Sequence, residues 1–287
     1  MARRYLSHRD AVAGRGLINA LRVEAELGTV HRGGLPATTA RRTLQGWRIT
    51  GRKIYSTGAA ALTWFVVFAG TDDAEPRVGY FLVPADANGI RIEETWDHLG
   101  MRATGSHDVV FDDTHVPLDH AVDLRLPAEW QNVPATLSAW TGLVIAAIYL
   151  GVADAARDWL IGFLKSRTPT NLGRPLATLE RMQLAVGEIE ALRTSSWTLL
   201  AATARTADTA PESLDRNEPT LMKYVVTENA IRIVQIAVAL VGNPALSRAN
   251  PLERHLRDVL CARIHSPQGD SILKAAGVAA LKTLAGP

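Results

Sequence analysis

The sequence predicts an α+β protein: an antiparallel β-barrel or sandwich domain followed by a C-terminal helical bundle. Up to Pro117 the apolar residues fall in short runs or alternate with polar ones, and Gly, Pro, Asn and Asp punctuate them without an intervening helical stretch. Beyond Pro117 the apolar spacing changes to three and four residues, in segments rich in Ala and Leu. A chain of 287 residues is long enough for two domains of ordinary size. The expected division is 1–118 for the β-domain and 119–287 for the helical domain.

Within the first domain, Trp47-Arg48-Ile49-Thr50 and Lys53-Ile54-Tyr55-Ser56 alternate apolar and polar residues on either side of Gly51-Arg52. That is the pattern of a half-buried hairpin. The run at 64–69, WFVVFA, predicts a strand covered on both faces, and 78–83 is a second such run that Pro84 stops. Turn chemistry at 86–89 precedes a last strand over 108–116. Helices are predicted over 135–165, 176–206, 219–240, 252–264 and 268–284, with a polar connection at 208–217. Long helices joined by short loops form an antiparallel bundle.

Composition narrows the function classes. The chain is 47% apolar and 21% charged, ordinary for a globular protein, and its net charge of +2 offers no basic field for nucleic acid. The single cysteine, Cys261, excludes an intrachain disulfide and suits a reducing, cytoplasmic setting, where it reads as a small core residue. The apolar heart of the longest uncharged run, 143–152, is shorter than the roughly 20 residues a bilayer requires, so no membrane span is expected. No GxGxxG or GxxxxGK motif is present, and no histidine pair has metal-ligand spacing, so neither a Rossmann site, a P-loop nor a metal site is expected. Ser106-His107-Asp108 are neighbours only in sequence, because successive strand residues point to opposite faces.

Two motifs carry a family resemblance. The stretch 99–117, LGMRATGSHDVVFDDTHVP, and its companion 46–58, GWRITGRKIYSTG, resemble the middle β-domain of the acyl-CoA dehydrogenase family. Later, Gly242-Asn243, Pro251-Leu252-Glu253 and Arg257-Asp258 resemble a turn and helix of its C-terminal domain. The resemblance spans roughly residues 17–285 and implies a flavin, FAD or alternatively FMN, held between the β-domain and the helical domain. It implies that Tyr55 stacks near the isoalloxazine, beside Ser56 and Thr57, whose hydroxyl is a hydrogen-bond donor to the ring. Gly28, with Glu26, falls in the family's flavin-contacting loop, and Gly242 lies in a second such turn. Arg167 takes the place of an arginine that meets the flavin pyrophosphate of a neighbouring subunit, a task suited to a planar guanidinium fork. The implied reaction is α,β-desaturation of an acyl-CoA thioester with hydride passing to FAD. The implied assembly is a homo-oligomer, a tetramer in the family, served by an electron-transfer partner or a flavin reductase.

Departures from the pattern open other readings. Counting from Arg257-Asp258, the family's catalytic glutamate falls on Ser266; the alternative base position falls on Thr141. Neither is a carboxylate. His265, in a His-Ser-Pro context, resembles the superfamily branch of reduced-flavin monooxygenases, where such a histidine handles protons; it also reads as a helix-end cap before Pro267. The segment before Leu17 is too short for the family's N-terminal helical domain, so a chain without that domain is expected. The alternatives to a dehydrogenase are a monooxygenase of the same superfamily and a non-catalytic subunit that pairs with a related chain.

Overall fold

The computed structural model describes residues 16–25, 35–131, 135–215 and 217–283. They form two compact units, one built from the chain up to His98 together with 102–132, the other from Leu99–Met101 and the chain beyond 133.

The first unit is one eight-stranded sheet: β1 Ile18–Leu21, β2 Thr39–Thr43, β3 Gly46–Lys53, β4 Trp64–Thr71, β5 Val78–Pro84, β6 Ile90–Glu93, β7 Asp108–Val116 and β8 Ala121–Arg125. The path runs β6-β7-β3-β2-β4-β5-β8, with β1 also on β4. β4 holds the WFVVFA run, its side chains buried or half-buried on both faces, and both its edges are occupied. β5 pairs with it antiparallel, while β1 and then β2 pair with it in parallel. The sheet is therefore mixed, antiparallel apart from those two pairings. Ile49, Phe65, Val67, Phe81, Val83, Val109 and Phe111 form its core.

Two expectations are corrected here. Gly51-Arg52 is not a hairpin turn: β3 runs through it, bulging between Ile49 and Gly51 against β7, and its hairpin partner is β2. Gly51 has φ +155°, and a side chain there would come within 2.6 Å of the Thr38 backbone, so only glycine fits. The sheet also continues past residue 118, because β8 pairs antiparallel with β5.

The second unit holds α1 Ala135–Ser166, α2 Glu180–Thr209, α3 Glu218–Val241, α4 Leu252–Leu260 and α5 Gly269–Thr283. Tyr149, Leu160, Met182, Ile189, Ile231, Val234 and Val259 meet in its core. At 32 residues α1 is long and apolar enough to cross a membrane, as is α3; a third of the most apolar window of α1 and half that of α3 is buried within the protein. The 143–152 heart alone understated that length.

Candidate functional site

In the β unit the candidate residues follow a buried ion pair. Lys53, the last residue of β3, is fully buried and pairs with Glu24. The Glu24 carboxylate also accepts hydrogen bonds from the Ala37 N–H (2.7 Å), the Thr38 N–H (3.1 Å) and the Thr38 hydroxyl (2.6 Å). Burial works to raise the Glu24 carboxyl, but Lys53, Thr38 and Ala37 outweigh it and leave it below the usual carboxylate range. The Ile54 N–H donates to the Val23 carbonyl at 2.9 Å, so the exit from β3 is held on both sides.

Tyr55 follows at φ 55°, a left-handed backbone conformation uncommon for a bulky residue and frequent at functional positions. Its ring is 53% exposed and stands edge-on to Trp96 (6.2 Å) and His98 (5.8 Å), which stack on each other at 3.7 Å. Ser56 is buried, and its hydroxyl has no hydrogen-bond partner among the described residues. The Thr57 hydroxyl lies 2.9 Å from that of Ser106, which in turn lies 2.7 Å from that of Thr104. Thr57 is therefore part of a hydroxyl chain rather than a solitary donor. Gly28 and Glu26 lie outside the described residues; within them, Glu24 is the acid tied to Lys53. Ser106, His107 and Asp108 form no triad: Asp108 pairs with Arg52, and His107 Nδ1 accepts from the Trp96 N–H.

In the helical unit His265 follows the short turn Cys261–Arg263. Its Nδ1 lies 3.0 Å from the Cys261 carbonyl and 2.9 Å from the hydroxyl of Tyr149, a buried residue of α1. Burial pushes the Tyr149 phenol up, with Cys261 and Asp258 adding to the effect. Lys223 of α3, only 2% exposed, donates to the carbonyls of His265 (2.9 Å), Pro267 (3.0 Å) and Ala262 (3.5 Å). Ser266 and Thr141 are exposed, and the Thr141 hydroxyl bonds the Leu137 carbonyl. Arg167, just past α1, is exposed with a guanidinium that has no partner among the described residues. Gly242 caps α3 at φ 72°. Neither shares a hydrogen bond with His265.

The late motif is a packing joint. Within this unit the Arg257 guanidinium donates to the Leu99 carbonyl (2.7 Å), and the Asp258 carboxylate accepts from the Met101 N–H (2.7 Å). Gly100 lies against the Arg257 carbonyl so closely that any Cβ would collide with it. Sequence reasoning missed Glu24, Tyr149 and Lys223. Glu24 and Lys223 each hold the backbone next to a candidate residue, and Tyr149 meets the His265 ring itself.

The mixed β unit carries a half-exposed tyrosine beside two further rings, and the helical bundle carries a histidine on a braced turn. Two family models match in that order: "Acyl-CoA dehydrogenase, middle domain" over residues 28–114 and "Acyl-CoA dehydrogenase, C-terminal domain" over 143–267. YdbM of Bacillus subtilis (strain 168), assigned by its name to the acyl-CoA dehydrogenases, is 35% identical over 90% of this chain and 66% of its own length. The L-evernosamine nitrososynthase of a Micromonospora species is 31% identical over 77% of this chain and 54% of its own. Among solved structures, KijD3 in complex with FMN and an amino-keto sugar nucleotide superposes with a TM-score of 0.78 at 28% identity, covering 96% of this chain and 68% of that one. The chain belongs to the acyl-CoA dehydrogenase family. It spans between about half and two thirds of the length of these curated relatives.

Proposed function

We propose that this chain serves a flavin-dependent oxidoreductase of acyl-CoA dehydrogenase type, acting on a small acyl thioester. The observation that carries the reading is Tyr55: a half-exposed ring on a left-handed backbone, braced by two further rings, beside a buried serine hydroxyl lacking a partner among the described residues. A planar heteroaromatic cofactor with a polar edge fits that set, and a flavin, when bound, supplies two-electron acceptor chemistry. Tyr55 then offers its ring, and Ser56 and Thr57 their hydroxyls. Arg167 offers a guanidinium with no partner among the described residues to a pyrophosphate, which favours FAD over FMN. Gly242, at a helix end with no side chain to obstruct approach, leaves its surroundings open to the cofactor. Gly28 belongs to the same reading through its place in the family's loop. His265 holds and moves the substrate proton, since neither Thr141 nor Ser266 is a carboxylate. The assembly is a homo-oligomer with an electron-transfer partner, in the cytoplasm.

The substitution of both carboxylate positions also favours a second reading: oxygenation of a small substrate by reduced flavin supplied by a reductase. The nitrososynthase among the relatives supports it. An anaerobic titration of the flavin-loaded chain with short-chain acyl-CoA thioesters separates the two. Bleaching of the flavin band supports desaturation. No bleaching, with substrate oxygenation only in the presence of oxygen and a flavin reductase, transfers the function to the second reading. Failure of both leaves a non-catalytic subunit.

A further inference from the structure

We propose that Lys223 is a positioning residue that holds His265 in one tautomer, with its proton on Nδ1 and its lone pair on Nε2. The inference rests on the reading above, in which His265 moves the substrate proton, and it names the atom that does so.

The tautomer follows from who can donate. Nδ1 lies 3.0 Å from the Cys261 carbonyl oxygen, which only accepts. That bond exists only if Nδ1 carries hydrogen, and a neutral imidazole with Nδ1–H has its lone pair on Nε2. The Tyr149 oxygen, 2.9 Å away, then lies beside the same N–H as a second acceptor. In the opposite tautomer Nδ1 accepts from the Tyr149 hydroxyl, but its lone pair then faces the carbonyl oxygen at 3.0 Å, and the two repel. Nε2 has no partner among the described residues, so it is free for a substrate.

The Cys261 carbonyl decides the tautomer only while its turn stays in place, and Lys223 supplies that constraint. An ammonium has three donors, and the structure gives them three carbonyls, Ala262, His265 and Pro267, from either side of and including the histidine. No carboxylate among the described residues pairs with Lys223: the acid acting on it, Glu228, is bound to Arg263. A lysine buried in a bundle core is costly unless its protons are used, and here a single turn uses all of them. Burial depresses the ammonium. Tyr149 and the Cys261 carbonyl meet the His265 ring, and Lys223 meets its carbonyl.

The test is two-bond proton–nitrogen correlation NMR on the flavin-free chain with its eight histidines labelled, His265 being assigned by the signal lost in His265→Gln. At a pH where the imidazole is neutral, the expected result is hydrogen on Nδ1 of His265. In Lys223→Met the Nδ1–H to Nε2–H ratio falls on the order of tenfold, the weight of one net hydrogen bond. Tyr149→Phe removes the hydroxyl that could donate to an unprotonated Nδ1, so the same ratio rises or stays as it is; the wild-type spectrum together with Tyr149→Phe carries the test if Lys223→Met fails to fold. A wild-type His265 with Nε2–H overturns the proposal outright, as does an unchanged ratio in a folded Lys223→Met or a lowered ratio in Tyr149→Phe. The readout needs no turnover. Normal turnover by His265→Ala therefore sinks the proton-transfer reading separately and leaves the tautomer standing.

Discussion

Lys53 in the β unit and Lys223 in the helical unit are both buried, at 0% and 2% exposure, and their ammonium groups meet opposite kinds of partner. Lys53 faces a carboxylate that three further donors also satisfy, a closed and charge-balanced set. Among the described residues Lys223 faces only carbonyls at the end of a short turn, partial charges with no formal countercharge. Each lysine stands beside a candidate residue: Lys53 two positions before Tyr55, Lys223 on the carbonyl of His265 itself. The difference teaches that an ion pair anchors the end of a strand, whereas a cation spread over carbonyls shapes a turn whose backbone must present a particular lone pair.

The comparison breaks first at Glu24. Glu24→Ala strands the Lys53 charge in the core and should cost about 3–5 kcal/mol of unfolding free energy in urea titrations, a loss that Lys53→Met in the same chain partly restores. A cost below about 1 kcal/mol would mean the pair anchors nothing. Lys223→Met should cost less, about 1–3 kcal/mol, because it uncovers carbonyls without stranding a charge. Equal costs for the two would erase the distinction.

Acid sharpens the contrast. The folded protein holds the Glu24 carboxyl below its unfolded value, so its contribution is complete above the unfolded value of about 4.3 and is lost as pH falls through the lower folded value. Glu24→Gln should flatten that limb of the stability–pH curve, and Lys223→Met should leave it unchanged. Tyr149→Phe is the smallest of these effects, about 0.5–1.5 kcal/mol, read as a shift in thermal midpoint.

The sequence made the sheet's centre and the bundle legible for a simple reason. A run such as that of β4 is apolar throughout because its side chains are buried or half-buried on both faces of the sheet, and the long helices repeat their apolar residues at helical spacing. β2, TARRT, was not legible: only Ala40 is buried, so no alternation marks it. Gly51 then read as a turn, although it is a glycine forced by the approach of Thr38. Of the candidate site, Tyr55 and His265 stood out through motifs. Glu24 did not, because its partner lies 29 residues away, a pairing that only folding creates. Lys223 was hidden by habit rather than by lack of signal. Pro219, Met222, Val226, Thr227 and Ala230 are buried on the same face of α3 at helical spacing, and a lysine among them has to point inward.

The most direct test of the account is the visible absorption spectrum of the purified chain after equilibration with FAD, then with FMN, and removal of free flavin. The account predicts a retained, structured flavin band with FAD that is weakened in Tyr55→Ala and intact in His265→Ala. A colourless protein with either flavin would contradict the assignment of Tyr55, Ser56 and Thr57 to a flavin.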